Sequence, residues 1–392
     1  MSKSHIMDIV KRHEDWRSQC INLIPSENIM SPLARKAIAS DLGHRYTNPE
    51  GFYRGTKFSD ELIEEVEKLA CRLFGAKVAF VNVLSGHMAV LSALFALSET
   101  RDVIMMPSPE DGGYPLNVAP LARKLVYFPF DKENMNIDVD AAVERISETK
   151  PKLIFLGASL FLFPHPVREI CKVANEVEAT VVYDGSHVLG LIAGGEFQKP
   201  FTEGASVLLG STHKSLPGPQ GGIVLLKDDE LAERFKEVLG FPPVLVDNIH
   251  LHRLAALGIT LEEMLVYGKE YAKQIVKNAK ALAETLYKGG IDVACPHLGF
   301  TRSHQILIRA GGREREIANL LERANIIVDE EIRLGTQEVT RRGMKEREMK
   351  ILGEVISELI NGERKPEDVR DYVIELSKEF QDVHYCFKGD FP

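Results

Sequence analysis

Between residues 78 and 226 short apolar runs alternate with stretches of helical periodicity, and this alternation leaves few folds open. The runs are Val78–Val81, Val103–Met106, Lys124–Phe128, Leu153–Leu156, Val181–Tyr183, Ala205–Leu209 and Ile223–Leu226. Met88–Leu97 and Asp138–Ser147 between them read as helices, as does Glu61–Phe74 just before, with apolar positions three and four apart. The series predicts an α/β chain with a largely parallel sheet covered by helices on both faces. Folds of this kind bind ligands beyond the carboxyl ends of their strands. Ser85, Asp111, Ser159, Asp184 and Lys214 each fall just after a strand-like run.

Lys214 sits in Gly210-Ser211-Thr212-His213-Lys214-Ser215-Leu216-Pro217-Gly218-Pro219-Gln220-Gly221-Gly222, a tight turn between two of those runs. A lysine held short of solvent loses its proton more easily and acts as an amine nucleophile. Alone, such a residue reads first as a surface lysine in a turn. Two other stretches weigh against that. Tyr183-Asp184-Gly185-Ser186-His187 ends a strand in an acid and a histidine, which suit a pyridinium nitrogen and a ring oxygen or carboxylate. Leu84-Ser85-Gly86-His87 opens a helix with small residues whose free N–H groups form an anion site. Phosphate cradle, strand-end acid and lysine follow in the chain order of fold-type I pyridoxal-phosphate enzymes.

With these motifs, Pro25-Ser26-Glu27-Asn28, Asp111-Gly112-Gly113 and Ile332-Arg333-Leu334-Gly335-Thr336 complete a pattern. The chain resembles the serine hydroxymethyltransferase family, nearest its archaeal branch, from about Asn22 to Met344. The resemblance implies the aspartate aminotransferase-like fold, with a mainly parallel sheet and a smaller C-terminal α+β domain. It implies pyridoxal 5'-phosphate as cofactor and an amino acid as substrate, with tetrahydrofolate or tetrahydromethanopterin as a one-carbon carrier. It assigns cofactor contacts to Ser85, Gly86, His87, Tyr114, Ser159, Asp184, His187, Thr212, His213 and Lys214, and to Gly221 and Gly222 of a partner chain. It gives catalytic roles to Lys214, His187, Glu50 and Tyr53, and substrate contacts to Ser26, Tyr46 and Arg333. The loop Arg45–Gly55 is implied to reach a partner's site, which makes the protein a homodimer.

The sequence departs from the family at four places, the first being the Arg45–Gly55 loop with Glu50, which is shorter and differently worded than the family's. Tyr114 stands where the family has a ring-stacking histidine; tyrosine stacks as well but cannot take a proton near neutral pH. His87 replaces a small residue, either as a further phosphate contact or as an ordinary residue at a helix start. The family's proline-rich insertion before the arginine is missing, so Val328-Asp329-Glu330-Glu331-Ile332 runs straight into Arg333. That trims the pterin half of the site. Two alternatives to hydroxymethyl transfer therefore stand: a pterin-independent β-hydroxy amino acid aldolase or transaldolase, and an inactive scaffold of the same fold. Intact Lys214, Asp184 and Arg333 speak against the scaffold.

The net charge of −9 argues against binding nucleic acid through phosphate neutralisation. Five scattered cysteines have neither zinc nor disulfide spacing, which fits no metal site and a reducing cytoplasm. No run is long enough to span a membrane, and the polar N-terminus predicts no signal peptide. Ile6–Ile21 predicts an amphipathic helix in which Trp16 reads as a packing residue. The expected organisation is an arm over 1–45, a large cofactor domain over 46–268, and a linking helix with the small domain over 269–392. In the last part, strands are expected at 293–295, 305–308 and 326–328.

Overall fold

Three runs, Leu153–Leu156, Val207–Ser211 and Gly222–Leu226, are buried at every position. Strands with no polar face must lie inside a sheet covered on both sides. The computed structural model, which describes residues 4–47 and 51–388, has this sheet at its centre. In chain order the strands are β1 (Ile21–Asn22), β2 (Val78–Phe80), β3 (Val103–Met106), β4 (Lys124–Tyr127), β5 (Phe130–Asp131), β6 (Asn136–Ile137), β7 (Leu153–Leu156), β8 (Thr180–Asp184), β9 (Val207–Ser211), β10 (Gly222–Leu226), β11 (Gln305–Leu307), β12 (Ile326–Ile327) and β13 (Arg333–Gly335). The central sheet has seven strands in the order β2-β10-β9-β8-β7-β3-β4.

β9, β8, β7, β3 and β4 run parallel, whereas β10 is antiparallel to both neighbours. A parallel neighbour needs a long crossover, but β10 follows β9 through the short connection 212–221 and so turns back beside it. All carboxyl ends except that of β10 therefore share one edge. The edge strand β4 keeps Lys124 and Tyr127 exposed, and the charged end discourages further pairing. Helix Gly86–Leu97 packs its apolar side on this sheet together with Glu230–Leu239.

The chain divides into two compact units. One holds Asn28–Lys273 and the segment after His384; the other holds the residues up to Glu27 and Gln274–His384. The sequence suggests a separate arm over 1–45, but β1 pairs in parallel with β12, Ile21 facing Ile326, and so the first residues join the C-terminal unit. Ile21 and Leu23 sit in that unit's core with Leu282, Ile306, Leu334 and Leu352.

Further differences concern the helices and small strands. The linking helix expected from 269 begins earlier: Leu251–Lys288 is one helix of 38 residues, because no proline or cap interrupts its pattern. Residues 293–295 make only a single bridge, Val293 to Ile308, since Cys295 turns left-handed (φ 55°). Helix His5–Arg17 forms as expected but buries no residue, and Trp16 is 41% exposed rather than packed in its own chain. Among the described residues, no helix is long and apolar enough to cross a membrane.

Candidate active site

The sequence singles out loops at the sheet's carboxyl edge, and nine of those residues line one cavity of about 230 Å³: Ser85, Gly86, His87, Tyr114, Ser159, Asp184, His187, His213 and Lys214. Its wall also includes Val90, Ala158, Ser186 and Ser211, which sequence reasoning did not assign. Ser186 carried a readable signal, since a backbone N–H two residues after an aspartate is placed to turn back on its carboxylate.

The lysine turn is pinned on both sides. The Thr212 hydroxyl donates to Pro219 O (2.7 Å), Gly218 N to Thr212 O (2.9 Å) and Gly190 N to Ser215 Oγ (3.0 Å). Thr212 thus shapes the turn and does not line the cavity. The Gly222 N–H donates to Val83 O (2.9 Å) within its own chain. Gly221 likewise belongs to the turn, its carbonyl accepting from Thr212 N.

Asp184 ends β8. Burial pushes its carboxyl above the ordinary range, and this is opposed by side-chain and backbone hydrogen bonds from Ser186 and by the Lys214 charge. Ser186 N donates to Oδ1 at 2.9 Å. Directly beneath, Gly157 holds φ +118°, and a Cβ there would meet Asp184 O at 2.1 Å. His165 Nδ1 accepts the Gly157 N–H (3.2 Å), and burial lowers its pKa to about 3, so it stays a neutral acceptor.

At the opposite wall Ser85 caps helix Gly86–Leu97, its Oγ accepting from Met88 N (3.1 Å). Gly86 allows close approach to β9, because a Cβ would lie 2.2 Å from Ser211 Oγ. The Tyr114 hydroxyl and His87 Nδ1 share a hydrogen bond of 3.0 Å. The two departures from the family pattern are therefore one feature: an imidazole enters from the helix start and pairs with the tyrosine. Burial, then the Asp184 charge, raises the Tyr114 pKa, so its hydroxyl keeps its proton. His213 is lowered to about 4 by burial and by Lys214, and its buried Nδ1 has no hydrogen-bond partner.

Ser26 and Arg333 belong to the other unit, where the segments that carry them are joined. Gly335 N donates to Leu23 O (2.6 Å), and Gln337 Nε2 donates to Ile24 O (2.7 Å) and Glu27 O (2.6 Å), which fastens the Ser26 loop to β13. Arg333 Nε is held by Asp329 (2.9 Å) and Glu331 (3.0 Å), and no described residue bonds its two Nη groups. Ile332, left-handed at φ 53° and buried, sets this geometry. A β-branched residue there carries strain.

Tyr46 and Tyr53 pack on each other (5.7 Å between ring centroids) and stay exposed, away from the cavity wall of their own unit. Glu50 lies outside the described residues. Among the described residues no three His, Cys, Asp or Glu side chains gather to hold a metal.

A buried carboxylate that needs a cationic partner, an open helix start suited to a phosphate, an orphaned imidazole nitrogen and a lysine in one cavity fit pyridoxal phosphate. Fold and site define a fold-type I pyridoxal-phosphate enzyme. The family model described as serine hydroxymethyltransferase matches residues 1–356. The serine hydroxymethyltransferase of Methanopyrus kandleri is 47% identical over 97% of this chain and 94% of its own length. That of Methanothermobacter thermautotrophicus is 45% identical over 98% and 95%. The crystal structure of L-threonine transaldolase from Pseudomonas fluorescens, in its internal aldimine state, superposes with a TM-score of 0.90 at 26% identity, covering 97% of this chain and 93% of that one. The chain belongs to the serine hydroxymethyltransferase family.

Proposed function

We propose that this protein interconverts serine and glycine by breaking and making the Cα–Cβ bond, with Lys214 as the residue that carries pyridoxal phosphate. The observation that carries the reading is the buried Asp184 carboxylate in one cavity with Lys214 and the start of helix Gly86–Leu97. When bound, the cofactor supplies an electron-withdrawing ring that accepts the electron pair of the broken bond. Asp184 would hold a proton at the ring nitrogen, and its raised pKa would fall back with that cation beside it. Backbone N–H groups at Gly86 and His87 would receive the phosphate. Tyr114 would pack on the ring, and His187 and Ser159 would contact ring substituents. Arg333 offers its two Nη groups to the substrate carboxylate, a planar two-pronged match, with Ser26 beside it. Glu50 takes the β-hydroxyl proton, and Tyr53 of the same loop shares the catalytic role.

Tyr46, Phe52 and Tyr53 support a homodimer in which this loop completes the partner's site. Phe52 is 79% exposed and meets Tyr53 edge-on at 5.1 Å, part of an aromatic cluster that the described residues leave largely exposed. Sedimentation that finds a fully active monomer at assay concentration overturns this. Five free thiols support a reducing, cytoplasmic setting.

A second reading, pterin-independent cleavage of β-hydroxy amino acids, is supported by the likeness to the transaldolase and by the short approach to Arg333. Serine cleavage is to be assayed with and without tetrahydrofolate and tetrahydromethanopterin, beside threonine and phenylserine cleavage without either. Strong pterin stimulation with negligible threonine turnover supports hydroxymethyl transfer. Threonine or phenylserine cleavage at least as fast as pterin-dependent serine conversion supports the second reading.

A further inference from the structure

Glu263, Tyr267 and Tyr271 are spaced four apart on helix Leu251–Lys288 and so form one stripe. The chain's last described segment lies along it. The Tyr385 ring sits 5.3 Å from that of Tyr271, with planes 36° apart. Phe387 meets Tyr267 edge-on at 6.0 Å, and its N–H donates to Glu263 Oε1 at 3.3 Å. Cys386 between them is 4% exposed.

Tyr271 is fully buried, and its hydroxyl accepts from Asn28 Nδ2 at 2.9 Å. The same amide nitrogen donates to the main-chain carbonyl of Lys214 at 2.7 Å, while Asn28 Oδ1 accepts from Ile29 N at 2.8 Å. A carbonyl can only accept, so the nitrogen of Asn28 must face Lys214, and both amide hydrogens are used. The main-chain carbonyl of Lys214, bonded to the Cα that bears its side chain, is thus held by a line of contacts that starts at Tyr385.

We propose that Tyr385, acting through Tyr271 and Asn28, positions Lys214, while Phe387 fastens the same segment to the helix at Tyr267 and Glu263; this rests on the reading that Lys214 carries the cofactor. Ring packing fixes Tyr271, the Tyr271 hydroxyl fixes the Asn28 amide, and Asn28 fixes the peptide of Lys214. These are positioning residues, since none of them lines the cavity.

The test compares full-length protein with Tyr271→Phe, Tyr385→Ala, Tyr385→Phe and a chain ending at His384. In Tyr271→Phe, Tyr385→Ala and the shortened chain, kcat should fall about three- to tenfold, with the serine KM within about twofold of the wild type. In the cofactor-free forms, backbone amides of 213–216 should exchange about three- to tenfold faster. Tyr385→Phe keeps the ring and should restore both readouts. Borohydride trapping with peptide mapping runs alongside on every holoenzyme. Cofactor trapped on a residue other than Lys214 overturns the underlying reading and this proposal with it. Cofactor trapped on Lys214, with Tyr271→Phe and Tyr385→Ala matching wild type in kcat and exchange, overturns the positioning role alone. Should the shortened chain not fold, Tyr271→Phe, which removes a single oxygen, decides.

Discussion

The cluster around Lys214 and the cluster around Arg333 are built on opposite principles. The first is held by close backbone contact and buried neutral groups: Gly157 against Asp184, Gly86 against Ser211, and the neutral imidazoles of His165 and His213. The second is held by charge and hydrogen bonds, with Asp329 and Glu331 on Arg333 and Gln337 on the Ser26 loop. A cofactor that stays bound favours a rigid, pre-shaped cavity. On the proposed reading, a substrate that must enter and leave would be served by a guanidinium steadied at Nε with its Nη fork unoccupied by described residues. The two clusters should therefore fail separately.

The largest effect is expected for Lys214→Ala. Borohydride should no longer fix the cofactor to the protein, and turnover should fall below detection. Trapped cofactor in this variant, read by mass spectrometry, breaks the assignment.

Arg333→Ala should then raise the serine KM about 30-fold or more, since removing one partner of a buried charge-assisted pair costs roughly 2–5 kcal/mol. Cofactor affinity should stay unchanged. A parallel loss of cofactor binding, read by titration of the cofactor-free protein, erases the distinction between the clusters.

Gly157→Ala should do the converse. The left-handed φ and the contact with Asp184 O cost on the order of 1–3 kcal/mol, which predicts roughly tenfold weaker cofactor binding. The amino-acid KM of the loaded enzyme should change little. Wild-type cofactor affinity in this variant removes the case for a backbone-shaped cavity.

The smallest effect concerns pH and stability. His165 and His213 have folded pKa values of about 3 and about 4 against an ordinary 6.5. Below pH 6.5 each takes up a proton on unfolding that it refuses when folded, so stability falls as the pH drops from 6.5 toward those values. Glu338 in the other unit has the opposite sign: burial raises its pKa, so its contribution weakens as pH rises above 4.5. His165→Asn keeps an acceptor for Gly157 and should flatten the slope of unfolding free energy by about 1.4 kcal/mol per pH unit between pH 4 and 6. Urea midpoints across that range measure it, and an unchanged slope refutes the buried neutral imidazole.

The expected strands over 103–106 and 153–156 have the observed bounds, and those over 78–81 and 124–128 end one residue early. Apolar runs of this length, bounded by turn residues, have few other fates. Ser85, Asp184 and Lys214 were readable because strand-end chemistry follows from the alternation itself. The bond between Tyr114 and His87 was not, because 27 residues separate them and neither substitution refers to the other in sequence.

The sequence alone determined the alternating α/β order, the carboxyl-edge loops and the residue types that suit pyridoxal phosphate, since these depend on local periodicity and side-chain chemistry. Only the tertiary structure decided that β1 joins β12, that Gly222 spends its N–H on Val83, and that Asn28 and the tail from Tyr385 converge on Lys214. Each of these joins residues far apart in the chain. A local pattern cannot encode which distant hydrogen bond or ring contact forms, because that is settled by the packing of the whole core.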